Sequence, residues 1–131
     1  MQRAIFNDLR RAKTYLDRPT KLTRFFTFKS PLTVWGPAPV TIRVRGPKDG
    51  IRLLYDQRTL KKLGTQKMEL ESLPEEGVFD PCPSSGPRTE MATQYNGGFA
   101  LVHPLCATIE VSTPSGAKST RVVSFGVRHC R

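Results

Sequence analysis

Three short apolar runs in the last third of the chain constrain its fold most. Residues 99–102, 105–111 and 121–127 alternate apolar with polar side chains, as strands with one buried face do. Pro104 and the stretch 113–117 predict turns between them, since proline and glycine favour turn geometry. Pairing in chain order places Ile109 beside Val123 and keeps one face apolar throughout. We therefore expect a three-stranded antiparallel meander.

The buried face of this meander is expected to include most of its apolar residues. These are Ala100, Val102, Ala107, Ile109, Val111, Val123, Phe125 and Val127. Arg121 is the exception, because it falls on the same face opposite Val111. We expect it near the end of the sheet, with its head group in water.

The rest of the chain also predicts strands and turns, since eleven Pro and ten Gly are scattered among β-branched runs. Further strands are expected at 20–30, 32–36, 40–45, 51–55 and 67–71. A helical turn within 56–66 should end at Gly64. Residues 72–96 should form a long loop with an extended piece at 78–80. The predicted fold is an all-β, antiparallel β-sandwich of seven to eight strands over residues 20–131, preceded by an arm over residues 1–19.

That arm is predicted to be an amphipathic helix over residues 2–17. Ile5, Leu9, Ala12 and Leu16 recur at helical spacing, and Pro19 follows the predicted end. Four cations lie on or near the opposite face: Arg3, Arg10, Arg11 and Lys13. Such a helix binds a membrane surface, a nucleic acid or a partner subunit, or packs on its own domain, and both readings stay open.

The formal net charge of +10 is unevenly distributed. Residues 1–31 and 42–67 each hold eight Lys or Arg against two acids, whereas residues 68–95 hold one against six. We expect Arg43, Arg45 and Arg52 to share an exposed face of two strands, with Lys61 and Lys62 nearby. Arginines two positions apart on a strand lie about 7 Å from each other, close to a phosphate repeat. This spacing suits a nucleic acid, but a solvated outer face has the same pattern.

The three cysteines, Cys82, Cys106 and Cys130, are the disulfide candidates. In a straight register, Cys106 lies about four residues from the position opposite Cys130, too far for a bridge. This favours a bond from Cys82 to either of the others, while a bulge at Gly126 would permit Cys106–Cys130. Their spacing is not that of a zinc site, and no metal or cofactor is expected.

No hydrolase, metalloprotease or nucleotide-binding motif is present. A nucleophilic pair of Cys106 or Cys130 with His103 or His129 would lack a third, orienting group. The carboxylates Glu75, Glu76 and Asp80 are typical of solvated charge in a loop. The sequence therefore predicts a protein that is not an enzyme.

No apolar run reaches the roughly 18 residues that a membrane helix needs, and no signal-peptide core follows Met1. We expect a soluble cytoplasmic product, a mature form without its leader, or a subunit of an assembly such as a virion. A virion, extracellular or cell-envelope location is favoured over the cytoplasm.

The scaffold residues also show a resemblance. The order Gly97-Gly98-Phe99, Pro104-x-Cys106, Ile109-x-Val111, Phe125-Gly126 and Cys130 resembles small uncharacterised secreted β-domain proteins of actinobacteria, over about residues 30–131. The resemblance implies an exported, disulfide-containing domain with no catalytic residues to carry over. The basic N-terminal segment departs from it, which allows a phage or assembly protein.

We therefore expect a non-catalytic structural or binding subunit of a larger assembly, in a virion or the cell envelope. Its partners would be other protein subunits or an acidic polymer, with a nucleic acid or a membrane surface as further candidates. The predicted partner-binding residues are Arg3, Arg10, Arg11, Lys13, Arg43, Arg45, Arg52, Lys61 and Lys62. The alternatives are a nucleic-acid-binding protein that uses a basic β-face and, third, a Cys/His enzyme.

Overall fold

The computed structural model describes residues 3–81 and 92–130, and every structural statement below refers to these two ranges. Within them the chain is mainly β, as expected from the sequence. The ten strands are β1 (Arg3–Phe6), β2 (Phe26–Lys29), β3 (Leu32–Trp35), β4 (Val40–Gly46), β5 (Ile51–Leu54), β6 (Glu76–Phe79), β7 (Ala92–Tyr95), β8 (Gly98–Leu101), β9 (Leu105–Ser112) and β10 (Lys118–Phe125). One α-helix, α1 (Gln57–Lys62), and two 3₁₀ helices, Leu9–Lys13 and Leu70–Ser72, lie between them.

The strands form three antiparallel sheets around one main core. Sheet I has the order β1-β3-β7, sheet II β10-β9-β4-β6 and sheet III β2-β8-β5. Val34, Ile42, Phe99 and Phe125 come from all three sheets and are fully buried in this core. A second cluster, which includes Leu54 and Ala100, covers the opposite face of sheet III. Both faces of that sheet are therefore buried.

The alternation predicted for β4 is confirmed. Val40, Ile42 and Val44 are buried, whereas Thr41 and Arg43 between them are partly exposed. A strand with one face against a core and one face toward water has this pattern. The expected helical turn is also confirmed, since α1 is followed by Gly64 with a φ of +82°.

The second hairpin of the expected meander is present, with a shifted register. Val123 lies opposite Ala107, and Ile109 lies opposite Arg121 rather than Val123. Because the shift is two residues, each side chain keeps its predicted face. Arg121 is exposed, as expected. Ala107, Ile109, Val123 and Phe125 all belong to the main core.

The first hairpin of the expected meander is wrong. β8 pairs with β2 and β5 in sheet III, whereas β9 pairs with β4 and β10 in sheet II. Residues 102–104 lead the chain from one sheet to the other, and Val102 is 48% exposed instead of buried. Close packing holds β8 in the middle of sheet III, because a Cβ at Gly98 would lie 1.9 Å from the Phe28 carbonyl oxygen. The strands at 40–45 and 51–55 were expected to share an exposed basic face, but β4 belongs to sheet II and β5 to sheet III.

The segments expected at 20–30, 67–71 and 72–96 are partly different. Only Phe26–Lys29 forms a strand in the first, and Leu70–Ser72 is a 3₁₀ helix in the second. Met68 and Leu70 are buried. The predicted loop contains the strands β6 and β7.

The predicted N-terminal helix over residues 2–17 is wrong. β1 pairs with β3, with Ala4 opposite Val34 and Phe6 opposite Leu32, and a 3₁₀ helix follows. The apolar residues of this segment also fit a strand, because Ala4 and Phe6 pack on the core while Ile5 points away. Asp8, in the left-handed region at φ +59°, separates the strand from the turn. The segment thus packs on its own chain, through hydrogen bonds between β1 and β3 that the helical spacing of its apolar residues does not predict.

The disulfide joins Cys106 to Cys130, with a Cα–Cα distance of 5.7 Å. The favoured pairing of Cys82 with one of these two cysteines is therefore wrong, and Cys82 itself lies outside the described residues. The bridge forms because Ser124 lies opposite Cys106 and the chain then turns at Gly126, where φ is +68°. This turn brings Cys130 back toward β9, as the alternative with a bulge at Gly126 required.

Candidate functional site

The residues expected to bind a partner lie on several separate elements. Arg10, Arg11 and Lys13 lie on the N-terminal 3₁₀ helix, Leu9–Lys13. Arg43, Arg45 and Arg52 lie on β4 and β5, and Lys61 and Lys62 lie in the last turn of α1. Arg3 begins β1, and its side chain is outside the described part of the structure. The sequence thus named the cations but not their grouping.

Both arginines on β4 are paired with carboxylates from neighbouring strands. An Arg43 guanidinium nitrogen lies 2.5 Å from Glu76 Oε1, and an Arg45 nitrogen lies 3.5 Å from Glu110 Oε2. Glu76 comes from β6 and Glu110 from β9, the two strands that flank β4. The face is therefore exposed, as predicted, but its positive charge is balanced in place. A phosphate would have to displace these carboxylates.

Arg52 is not on an exposed face, contrary to the prediction. Its side chain is only 8% exposed, and a guanidinium nitrogen lies 3.1 Å from Asp49 and 3.3 Å from Glu75. A second nitrogen donates to the Ile51 carbonyl oxygen at 3.1 Å. The reason is that β5 lies in sheet III, which is covered on both sides. Arg52 therefore serves the fold rather than a partner surface.

Lys61 and Lys62 are exposed at the C-terminal end of α1, where cations interact favourably with the helix dipole. The other end of α1 is capped by Asp56, whose side chain accepts from the Thr59 amide at 3.3 Å and from its hydroxyl at 2.9 Å. The hydrogen bond from the Thr59 hydroxyl is the main reason that the pKa of Asp56 is below its ordinary value. Both lysines thus have a structural role at the end of this helix, and their binding of a partner stays a prediction.

The strongest candidate site is a groove between the N-terminal 3₁₀ helix and β10. Its volume is about 670 Å³, and we call it the basic groove. It is lined by Phe6, Asp8, Leu9, Arg10, Arg11, Lys13, Arg121, Val122, Val123 and Ser124. The groove is held in place at one end, where the Gly126 amide donates to the Ala12 carbonyl oxygen at 2.6 Å.

The electrostatics of the basic groove differ from those of β4. Four cations line it, Arg10, Arg11, Lys13 and Arg121, and Asp8 is the one acid among the lining residues. Within the described ranges, none of the four forms an ion pair with a carboxylate. Arg121 was not among the expected site residues. The sequence does mark Arg121 as unusual, because it is a cation on an apolar strand face, but this position only predicts that it lies near the end of the sheet.

An apolar cleft adjoins the basic groove. It has a volume of about 350 Å³ and lies between β1 on one side and β9 and β10 on the other. Its lining consists of Ala4, Ile5, Phe6, Leu9, Ile109, Val111, Ser119, Arg121 and Val123. Arg121 and Val123 line both spaces, so charged and apolar surfaces meet along β10.

The candidate catalytic groups do not assemble into a nucleophilic site. Cys106 and Cys130 are joined to each other, so neither carries a thiolate in this state. His103 is exposed, with its Nδ1 2.8 Å from the Pro104 carbonyl oxygen. Glu75 and Glu76 are engaged with Arg52 and Arg43. Across residues 3–81 and 92–130, no three His, Cys, Asp or Glu residues are grouped as a metal site.

In the described part of the chain, no helix has the length and apolar character to cross a membrane. The resemblance to secreted actinobacterial domains stays a prediction. No family model, curated protein or solved structure matches the chain.

Proposed function

We propose that this protein is a non-catalytic binding subunit of a larger assembly, such as a virion or the cell envelope. Its basic groove would hold an acidic segment of a protein partner, and sheets I and II would pack as the two layers of a sandwich that supports the groove. One observation carries the proposal. Four cations converge on one concave surface, and none of them forms an ion pair within residues 3–81 and 92–130, whereas the arginines of β4 and β5 are all paired.

The physical argument is that unbalanced charge in a concave surface acts on partners more strongly than paired charge. A groove lined by one sign of charge concentrates the field and attracts ligands of the opposite sign. Arg10 and Arg11 come from a short turn and Arg121 from a strand, so the groove has cations on both walls. The Cys106–Cys130 disulfide supports a location outside the reducing cytoplasm, since such bonds persist in oxidising compartments.

Binding to a nucleic acid is the second candidate, because the net charge of +10 favours any polyanion. The face that was predicted for it is already neutralised by Glu76 and Glu110. The basic groove instead gathers four unpaired cations on one concave surface, which favours a short acidic segment over a long duplex.

The test compares two variants that each remove two arginines. Arg11→Gln/Arg121→Gln alters the basic groove, and Arg43→Gln/Arg45→Gln alters the paired face. Binding of fluorescent poly-L-glutamate and of duplex DNA is measured by fluorescence anisotropy at several salt concentrations. We expect the groove variant to bind polyglutamate about tenfold more weakly and the face variant within about twofold of wild type, because Arg11 and Arg121 are unpaired whereas Arg43 and Arg45 are already balanced by carboxylates.

Equal losses in the two variants, or no polyglutamate binding at low salt, would overturn the proposal. Tighter binding to duplex DNA than to polyglutamate, with a steep fall in log affinity against log salt, would instead support the nucleic-acid function.

A further inference from the structure

β10 is an edge strand with a free side. Sheet II ends at β10, which pairs only with β9 among the described strands. β10 is 8 residues long, and its first five residues, Lys118–Val122, are exposed. In an antiparallel strand, every second residue directs its N–H and C=O away from the paired neighbour. These groups form a template on which a further strand can be added.

Two kinds of surface meet along this free side. Four consecutive residues, 121–124, line the basic groove, which means that the groove runs beside the backbone of β10. Alternate residues, Ser119, Arg121 and Val123, line the apolar cleft, which means that the cleft opens on one face of the strand. The edge, the charge and the apolar surface are therefore side by side.

The apolar cleft is an extension of the main core. Phe6 and Val111 in its walls pack against core residues, and the Phe6 ring lies 5.4 Å from that of Phe99. Ile5, in the β1 wall, is 44% exposed. β1 is also an edge strand, since sheet I ends there. An open edge next to exposed apolar side chains is a surface that natural proteins usually cover.

We propose that an extended segment of the acidic partner adds to the free edge of β10 as a further strand. Its apolar side chains would enter the cleft between β1 and β10, and the side chains between them would be acidic and would meet the groove cations of the 3₁₀ helix, Arg10, Arg11 and Lys13. A strand presents side chains to its two faces in alternation, so one segment satisfies both surfaces. This mode of binding rests on the proposed function and specifies the shape and sequence pattern of the partner.

Charge argues against a second copy of this chain as the occupant. β10 carries Lys118 and Arg121 on its exposed part. Antiparallel registers that pair residue 121 of one copy with residue 121 or 118 of the other bring these cations together across the new ladder, and like charges that face each other there are destabilising. An acidic segment removes the same conflict.

The experiment uses capped peptides as long as β10. One alternates Val and Glu, and a second has the same composition with all Val before all Glu. Two more are alternating peptides with backbone N-methyl groups on every second residue, in one phase or the other. A strand that is bonded along one edge uses the N–H groups of every second residue only. We expect one phase of N-methylation to abolish binding and the other to leave it nearly unchanged.

The alternating peptide should bind at least about tenfold more tightly than the block peptide, because only alternation serves both surfaces. Hydrogen exchange at amides of residues 118–124 should slow when it binds. Ile5→Glu places a carboxylate at the cleft and should weaken binding, whereas Val78→Glu is a matched control. Val78 is another exposed apolar residue, 61% exposed, on β6 at the opposite edge of sheet II.

The outcomes separate strand addition from the proposed function. If polyglutamate binds at the basic groove but all four peptides bind equally, strand addition is wrong and the proposed function stands. If N-methylation acts in one phase only while Arg11→Gln/Arg121→Gln has no effect on polyglutamate, strand addition stands and the proposed function fails. A dimer in sedimentation experiments that the alternating peptide does not dissociate would overturn strand addition by a partner, because a second copy would then occupy the edge.

Discussion

Arg52 on β5 and Arg121 on β10 both interrupt apolar strand faces, but their surroundings are opposite. Arg52 is buried and is paired with Asp49 and Glu75. Arg121 is exposed and lines both the basic groove and the apolar cleft, without an ion pair to any described carboxylate. β5 lies in a sheet that is covered on both faces, whereas β10 is an edge. The position of the strand in the fold therefore decides whether an arginine stabilises the protein or is free to bind.

The largest expected effect of this difference is on stability. Arg52→Ala removes a buried side chain that packs in the sheet and bonds to two carboxylates, and it should lower the free energy of unfolding by about 2–3 kcal/mol. Arg121→Ala removes an exposed, unpaired side chain and should change it by less than about 0.5 kcal/mol. Urea denaturation measures both. Similar values for the two variants would mean that Arg52 is not held as its ion pairs indicate.

A second experiment converts the paired surface into a free one. Glu76→Gln/Glu110→Gln removes the partners of Arg43 and Arg45 without removing any cation. Polyglutamate affinity should rise about three- to tenfold, while the free energy of unfolding falls by less than about 1 kcal/mol, since partly exposed ion pairs contribute little. Fluorescence anisotropy and urea denaturation give the two numbers. An unchanged affinity would show that the ion pairs with Glu76 and Glu110 are not what keeps Arg43 and Arg45 from binding an acidic ligand.

The comparison also shows which parts of the fold can be predicted from sequence. Alternation of apolar and polar residues is a local property, so the buried faces of β4, β9 and β10 are predicted correctly. The end of α1 before Gly64 is also set locally, and it too is predicted correctly. The choice of neighbouring strand is not local. Residues 102–104 resemble a hairpin turn but connect two sheets, and no periodicity in the sequence distinguishes these cases.

The candidate site shows the same limit. Leu9, Ala12 and Leu16 do pack against the core, so helical spacing found the right apolar residues but assigned the wrong secondary structure around Ile5. Arg10, Arg11 and Lys13 lie together on the 3₁₀ helix Leu9–Lys13 instead of on one face of a longer helix. Their juxtaposition with Arg121, more than a hundred residues later in the chain, depends on how the first segment packs against β10. The sequence shows that Arg121 is a cation on an apolar strand face, but it does not show which residues lie next to Arg121 in the fold.

Two aspartates with the same backbone conformation give a finer test. Asp8 and Asp49 both have positive φ, 59° and 61°, and asparagine is tolerated there. Asp8→Asn removes the one acid that lines the basic groove and should raise polyglutamate affinity about twofold, with stability unchanged. Asp49→Asn removes a partner of Arg52 and should do the reverse, lowering the free energy of unfolding without changing affinity. An affinity gain in Asp49→Asn as large as in Asp8→Asn would indicate a long-range charge effect rather than a local groove.

The smallest effect on stability is expected at Asp56, the N-cap of α1. This helix carries Lys61 and Lys62 and contains neither Arg52 nor Arg121. The pKa of Asp56 is below the ordinary value in the folded protein, mainly because the Thr59 hydroxyl donates to the carboxylate. The charged carboxylate therefore stabilises the fold above its ordinary pKa, and this contribution is lost as the pH falls through the lowered, folded-state value. In Asp56→Asn the acid-dependent loss should shrink, and the protection factor of the Thr59 amide, its exchange rate relative to the unfolded chain at the same pH, should stay constant across that pH range. If the stability of Asp56→Asn falls with acid as steeply as that of the wild type, other carboxylates account for the pH dependence and the cap is a minor contact.

A change in polyglutamate affinity in this variant, beyond that caused by one lost negative charge, would indicate that Lys61 and Lys62 do bind a partner, because only their helix has been altered.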